Sequence, residues 1–237
     1  MNNLATNLNA QNRFVDSEQL FAETVELERR VFGPDKPVTL QSMSNMVRAL
    51  ISAAKFAEAE TLARQTLDLQ RRVLGPEHED TQWTLHNLGV TLRATGHHDE
   101  AEKLFRQTMA VRQRTLGPDH PDTLGSMEEL AVTLDELHRY PEAADLYRKT
   151  IDAQRRILGP NHPVTASTKY NLACNAALSG RRDEALSVLR DAVEHGLPPD
   201  TAAGMRQDND LKSLRGDPRF AALVAEVKTR ESVVKSH

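Results

Sequence analysis

A single cysteine, Cys174, occurs in 237 residues. That excludes a disulfide framework and makes a reducing, cytoplasmic compartment the default expectation. Aromatic residues are only 4% of the chain, so the core must be built from aliphatic side chains. No run approaches the roughly 20 apolar residues of a membrane span. The polar start MNNLATNLNAQN lacks the basic and apolar regions of a signal peptide. Neither sign of charge is in excess, since 30 Lys and Arg face 34 Asp and Glu for a formal net charge of −4. A dedicated nucleic-acid binder carries a basic face, so neither nucleic acid nor membrane is an expected partner. Hydrophobic residues at 39%, with so low a net charge, also argue against intrinsic disorder. Phosphate loops, dinucleotide fingerprints, nucleophile elbows and metalloprotease helices are missing. No catalytic activity, cofactor or metal is expected.

Glycine and proline are few, but they are not scattered. Four similar loops, GPDKPVT, GPEHEDT, GPDHPDT and GPNHPVT, place Gly33, Gly75, Gly117 and Gly159 at intervals of 42 residues and hold seven of the eleven prolines. Punctuation at a fixed period is the mark of a repeat architecture. Each interval reads as two helices. Met43, Met46, Val47 and Leu50 form an i, i+3, i+4, i+7 stripe on the first, repeated by Leu85, Leu88, Gly89 and Leu92 and by Met127, Leu130, Ala131 and Leu134. Ala59, Leu62, Ala63, Thr66, Leu67 and Val73 mark the second helix, with counterparts from Ala101 and Ala143 onward. Small residues recur at Val47, Gly89, Ala131 and Ala173, and at Ala59, Ala101, Ala143 and Ala185, where two helices must cross closely.

The spacing divides the chain into 1–32, 33–74, 75–116, 117–158, 159–196 and 197–237. The first segment is ten residues short of a repeat and opens in the middle of a first helix, with Leu4, Ala5 and Leu8 on its apolar side. This points to a fragment of a longer protein, or to an open end that self-associates or is covered. The last segment offers Asp217 as a helix cap, Pro218 in the first turn, and Phe220, Leu223, Val224 and Val227 on one face. It reads as a capping helix.

Small and large apolar positions in a helical hairpin, closed by LGPxHPxT every 42 residues, resemble tetratricopeptide repeats of the kinesin light chain type. The resemblance covers roughly residues 1–196. It implies an all-α, right-handed superhelical solenoid of helix-turn-helix repeats with a C-terminal cap. The last hairpin with LKSLRGDPRF also resembles the ends of repeat arrays attached to bacterial serine/threonine kinases. That implies an alternative role, as a regulatory or oligomerisation segment of a larger signalling protein.

In such arrays the first helices line a concave groove that receives a protein or peptide ligand. The resemblance implies a row of backbone-contacting asparagines at Asn3, Asn45, Asn87 and Asn171, with Glu129 replacing the amide in one repeat. Neighbouring groove positions are Ser44, His86, Glu128 and Tyr170, then Arg48 and Val90, then Arg93 and Asp135. Arg48, Arg93 and a titratable His86 fall early in the chain, while Glu128, Glu129, Asp135 and Glu136 fall later. That pattern suggests a dipolar groove that orients a charged peptide. The carboxylate-clamp variety, which grips peptide C-termini, is disfavoured because its Lys and Asn positions hold His86 and Val90, or Ser44 and Arg48. His78, His120 and His162 recur once per repeat, too far apart to share a metal, and are expected to pack or cap loops. Asp208 and Asp210 are expected to cap a helix, Cys174 to be structural, and Trp83 either to anchor a ligand or to pack on the preceding loop.

Overall fold

The computed structural model describes the backbone of residues 1–234 and the side chains of residues 1–227. Among them are twelve α-helices and no strand: α1 (Asn2–Ala10), α2 (Phe14–Val31), α3 (Pro37–Ser52), α4 (Phe56–Val73), α5 (Glu79–Ala94), α6 (His98–Thr115), α7 (Pro121–Glu136), α8 (Tyr140–Ile157), α9 (Pro163–Leu178), α10 (Arg182–Glu194), α11 (Pro199–Gly204) and α12 (Pro218–Val234). The chain divides into two compact units, Met1–Gly117 and Pro118–His237. The all-α hairpin fold class expected from the period is the one observed.

The loop chemistry explains why the hairpins share one length. Thr39 and Thr81 each donate a side-chain hydrogen bond to the carbonyl of the loop glycine six residues back, at 2.9 and 2.8 Å, and Thr165 does so at 3.2 Å. The recurring histidines cap the next helix. The Nδ1 atoms of His78, His120 and His162 accept the backbone N–H of Asp80, Asp122 and Val164, each at 3.2 Å. They satisfy donors that a helix start leaves open. The first helices end in a left-handed residue. This is Gly96 and Gly180 in two hairpins, but Ala54 (φ +57°) and His138 (φ +60°) in two others.

In the first unit α3 packs on α2, α4 and α5, and α5 packs on α6. The stripe residues Met43, Val47, Leu50, Leu85, Leu88, Gly89 and Leu92 are all buried, as are Ala59, Ala63 and Leu67. Val73 departs from the expectation. It is 44% exposed, and Leu74 beside it packs against the core with Val25, Leu40 and Met43. Leu4 is 58% exposed, while Ala5 beside it is fully buried against Phe21 and Ala49. Two helices cross closely at Gly89, where an added Cβ would lie 2.8 Å from the Phe105 ring.

In the second unit α9 packs on α8 and α10, and the C-terminal segment folds back over this end. Phe220, Leu223 and Val227 of α12 join a core with Ala173, Leu189, Met205, Leu211 and Leu214. Asp217 accepts the N–H of Arg219 at 2.9 Å as the expected cap of α12. Sequence reasoning missed Lys169, which occupies the position held by Met43, Leu85 and Met127 in other repeats. It is 2% exposed and pairs with Asp191 at 2.8 Å.

A β-branched side chain at Gly89 must displace the Phe105 ring, and the overpacking should cost about 1–3 kcal/mol. Urea unfolding of Gly89→Val is expected to show that loss, with Phe105→Leu in the same chain restoring part of it. Strictly additive effects of the two substitutions would contradict this contact.

Candidate functional site

The first unit presents the early part of the asparagine row. Asn45 on α3 and Asn87 on α5 are half-buried, and among the described residues neither side-chain amide has a hydrogen-bond partner. Asn3 on α1 is exposed, as is Arg48 on α3, while Arg93 on α5 is half-buried. Ser44 is not available to a ligand. Its hydroxyl lies 2.8 Å from that of Thr84 and accepts Nε2 of Gln70 at 2.9 Å, in a buried joint between adjacent hairpins.

The structure corrects the expectation of a titratable His86. Its ring stands edge-on to Trp83 at 6.0 Å and to Phe105 at 5.5 Å. Burial pushes its pKa down to about 3, helped by the positive charges of Arg112 and Arg93. His86 is therefore neutral throughout the physiological range and contributes no charge. Trp83 is engaged in the same stack, with the Arg112 guanidinium 4.8 Å above its ring.

The second unit holds the later positions, and several are committed internally. Glu128 accepts Oγ1 of Thr168 at 3.2 Å and Nδ2 of Asn171 at 2.9 Å. Burial, and secondarily the Glu129 charge, raise its pKa against the effect of these bonds. Asn171 is thus occupied by Glu128, unlike Asn45 and Asn87. Tyr170 is buried, and its hydroxyl donates to Asp208 at 2.6 Å. Asp135 is half-buried beneath α9 and accepts Asn175 Nδ2 at 2.5 Å and the Tyr147 hydroxyl at 3.0 Å. Glu129 is half-buried.

Asp135 and Tyr170 line a cavity of about 290 Å³, together with Glu136, Asp208, Asp210 and Tyr140. Asp208 and Asp210 are not helix caps. The Asp208 carboxylate accepts the N–H of Asp210 at 2.9 Å in a tight turn. Buried Met205, Leu211 and Leu214 tie that turn to the core beside α9. This segment follows the last repeat, so no period announces where its carboxylates arrive. Burial raises the pKa of Asp135 to about 6 against its two hydrogen bonds, with smaller contributions from Asp210 and Glu136. Burial, with Asp208 and Glu136, also raises that of Asp210. Among the described residues no cation pairs with Asp135, Asp208 or Asp210.

The Sγ of Cys174 and carboxylate oxygens of Asp208 and Asp210 lie within 4.8 Å of one another. Burial, and then the adjacent carboxylates, push the Cys174 thiol well above its usual range. The thiol is protonated without a bound ion, so a metal there would have to displace that proton.

The tetratricopeptide repeat family is matched by two models, one over residues 1–71 and 137–195 and the other over residues 81–122. No curated protein shows significant sequence similarity to the chain. Among solved structures, a putative kinesin light chain with nearly identical TPR-like repeats, from Podosopora anserina, is 26% identical. It aligns with a TM-score of 0.70 over 81% of this chain and 90% of its own. BtubC (BKLC) from P. vanneervenii is 15% identical, with a TM-score of 0.74 over 94% of this chain and 93% of its own. A Rap protein complexed with competence and sporulation factor is 12% identical, with a TM-score of 0.69 over 98% of this chain and 69% of its own. The last two likenesses show the fold alone. No helix among the described residues is long and apolar enough to cross a membrane.

The raised pKa of Asp135 fixes the sign of its effect on stability. The folded chain holds a proton there up to about pH 6, whereas an unfolded chain releases it near pH 4. The native state therefore binds more protons between those values and loses stability as pH rises through them. Asp135→Asn should flatten this part of the curve by on the order of 2 kcal/mol in urea unfolding at pH 4 and pH 7. An identical slope in both proteins would contradict the burial argument.

Proposed function

Because the chain belongs to the tetratricopeptide repeat family, we propose that it is a non-catalytic protein–protein interaction module holding a peptide segment of a partner along the first helices of its hairpins. The observation that carries this reading is the pair of unpartnered amides at Asn45 and Asn87. They sit one repeat apart on adjacent first helices, and each supplies a donor and an acceptor. An extended peptide offers the same two groups from its backbone at every residue, so two amides in register can hold it without reading its sequence. The packed hairpins keep the amides in place before binding, and only the peptide loses conformational freedom.

Charge would supply selectivity within each unit. Arg48 and Arg93 of the first unit favour an acidic residue. In the second, the uncompensated Asp135 and Asp210 favour a lysine or arginine side chain, which would restore the ionised state that burial disfavours. Cation binding there should weaken as pH falls below about 6 and Asp135 takes up its proton.

Affinity capture from lysate with the full chain, followed by calorimetry on the partner segment recovered, tests the reading. Asn45→Ala combined with Asn87→Ala should weaken that segment's binding by about tenfold or more, from two hydrogen bonds at roughly 1 kcal/mol each. Thermal stability should be unchanged, because neither amide has a partner within the described residues. An unaltered set of captured proteins and unaltered affinity would place binding elsewhere.

A further inference from the structure

We propose a second, separate binding site in the C-terminal cap: a cleft between the 206–215 turn and α12 that takes an acidic, aliphatic peptide segment of a partner protein. The cleft has a volume of about 720 Å³ and includes none of the first-helix positions discussed above. Its charged wall is Arg206 and Arg215. Arg215 is held in place by its Nη2, which donates to the carbonyls of Gln207 and Asp208 at 3.0 and 3.1 Å. These are neutral acceptors, so the guanidinium charge is oriented but not compensated. Arg206 is exposed and makes no ion pair among the described residues. Of the acidic groups near this end, Asp217 and Asp183 pair with Arg219, Asp208 accepts the Tyr170 hydroxyl, and Asp210 lines the separate cavity beside Asp135.

The remaining walls favour a peptide chain. The side-chain amides of Gln207 and Asn209 line the cleft and have no partner among the described residues, which suits backbone groups. The floor is the apolar face of α12, where Phe220 is 2% exposed and Val224 half-buried. Ala221 and Ala225 leave the cleft open above it because their side chains are too short to fill it. Among the described residues that line the cleft, none offers an exposed aromatic face on which a nucleic-acid base could stack. Two uncompensated guanidinium groups above an aliphatic floor complement a segment that alternates carboxylate and aliphatic side chains.

Calorimetry of the full chain with a blocked pentapeptide alternating leucine and glutamate tests the proposal. Saturable 1:1 binding is expected, at least tenfold tighter than for the same peptide with lysine in place of glutamate. Arg206→Glu reverses one charge, and Ala221→Trp fills the cleft. Both change exposed positions, so circular-dichroism melts should match those of the unaltered chain while affinity falls at least fivefold in each. The proposal is overturned by any of three peptide results: no binding at millimolar peptide, equal binding of the lysine peptide, or unchanged affinity in both variants. Sedimentation velocity separates a second copy as occupant. A dimer that dissociates on Arg206→Glu without added peptide would overturn the assignment to a partner segment.

Discussion

Two helices can cross closely only where one of them withholds a side chain, and that steric rule recurs every 42 residues in this chain. Sixteen residues beyond Val47, Gly89, Ala131 and Ala173, on the second helix of each hairpin, stand Ala63, Phe105, Tyr147 and Leu189. The two vary in a compensating way: the glycine accompanies phenylalanine, alanine accompanies tyrosine or leucine, and the larger valine accompanies alanine. At Gly89 the compensation is complete, with the Phe105 ring in the space a Cβ would need. Conserving the sum of volumes, and not the individual residues, lets unlike repeats share one crossing geometry. With the crossing fixed, the face each first helix turns outward is fixed too.

What that face offers depends on a second layer of contacts, the polar joints between adjacent hairpins. One residue before each position of the row, held by asparagine or by Glu129, stands Ser44, His86, Glu128 or Tyr170, and each is anchored differently. Ser44 joins Gln70 and Thr84, His86 is sealed between two rings, and Glu128 holds Thr168 and Asn171. Ser44 is satisfied by Gln70 and Thr84, and the asparagine one repeat on, Asn87, is left unpartnered among the described residues. The carboxylate of Glu128 instead draws the asparagine one repeat on, Asn171, inward. The row of amides is thereby split between unpartnered members and one committed to the fold.

This split shows what a single sequence discloses. Period and stripe located every hairpin, and the loop histidines could be assigned to packing or capping because a contact repeated at each turn must be local. The states of the candidate site residues were not legible. Whether Glu128 is a solvated charge or a buried acceptor depends on Thr168 and Asn171, 40 and 43 residues away. Likewise, the neutrality of His86 depends on Phe105 and Arg112 on the neighbouring helix. Asp208 and Asp210 were harder still. They lie beyond the last repeat, so their approach to Tyr170 and the Asp135 cavity follows from how Met205, Leu211 and Leu214 dock, and no periodicity encodes that.

Lys169 breaks the pattern most sharply, and its surroundings explain why the break is tolerated. An ammonium in an aliphatic position costs several kcal/mol unless it is paired. Asp191 supplies the pair at 2.8 Å, and it is itself about one-third exposed, which limits the desolvation of the couple. Burial alone would raise the pKa of Asp191, but Lys169, His195 and Arg155 reverse that and hold it below the ordinary carboxylate range. The pair lies within one hairpin, Lys169 on α9 and Asp191 on α10, so the break in the apolar stripe is answered by that hairpin's own second helix. Removing Asp191 would leave the ammonium buried without its counter-charge, which costs more than the intact pair contributes.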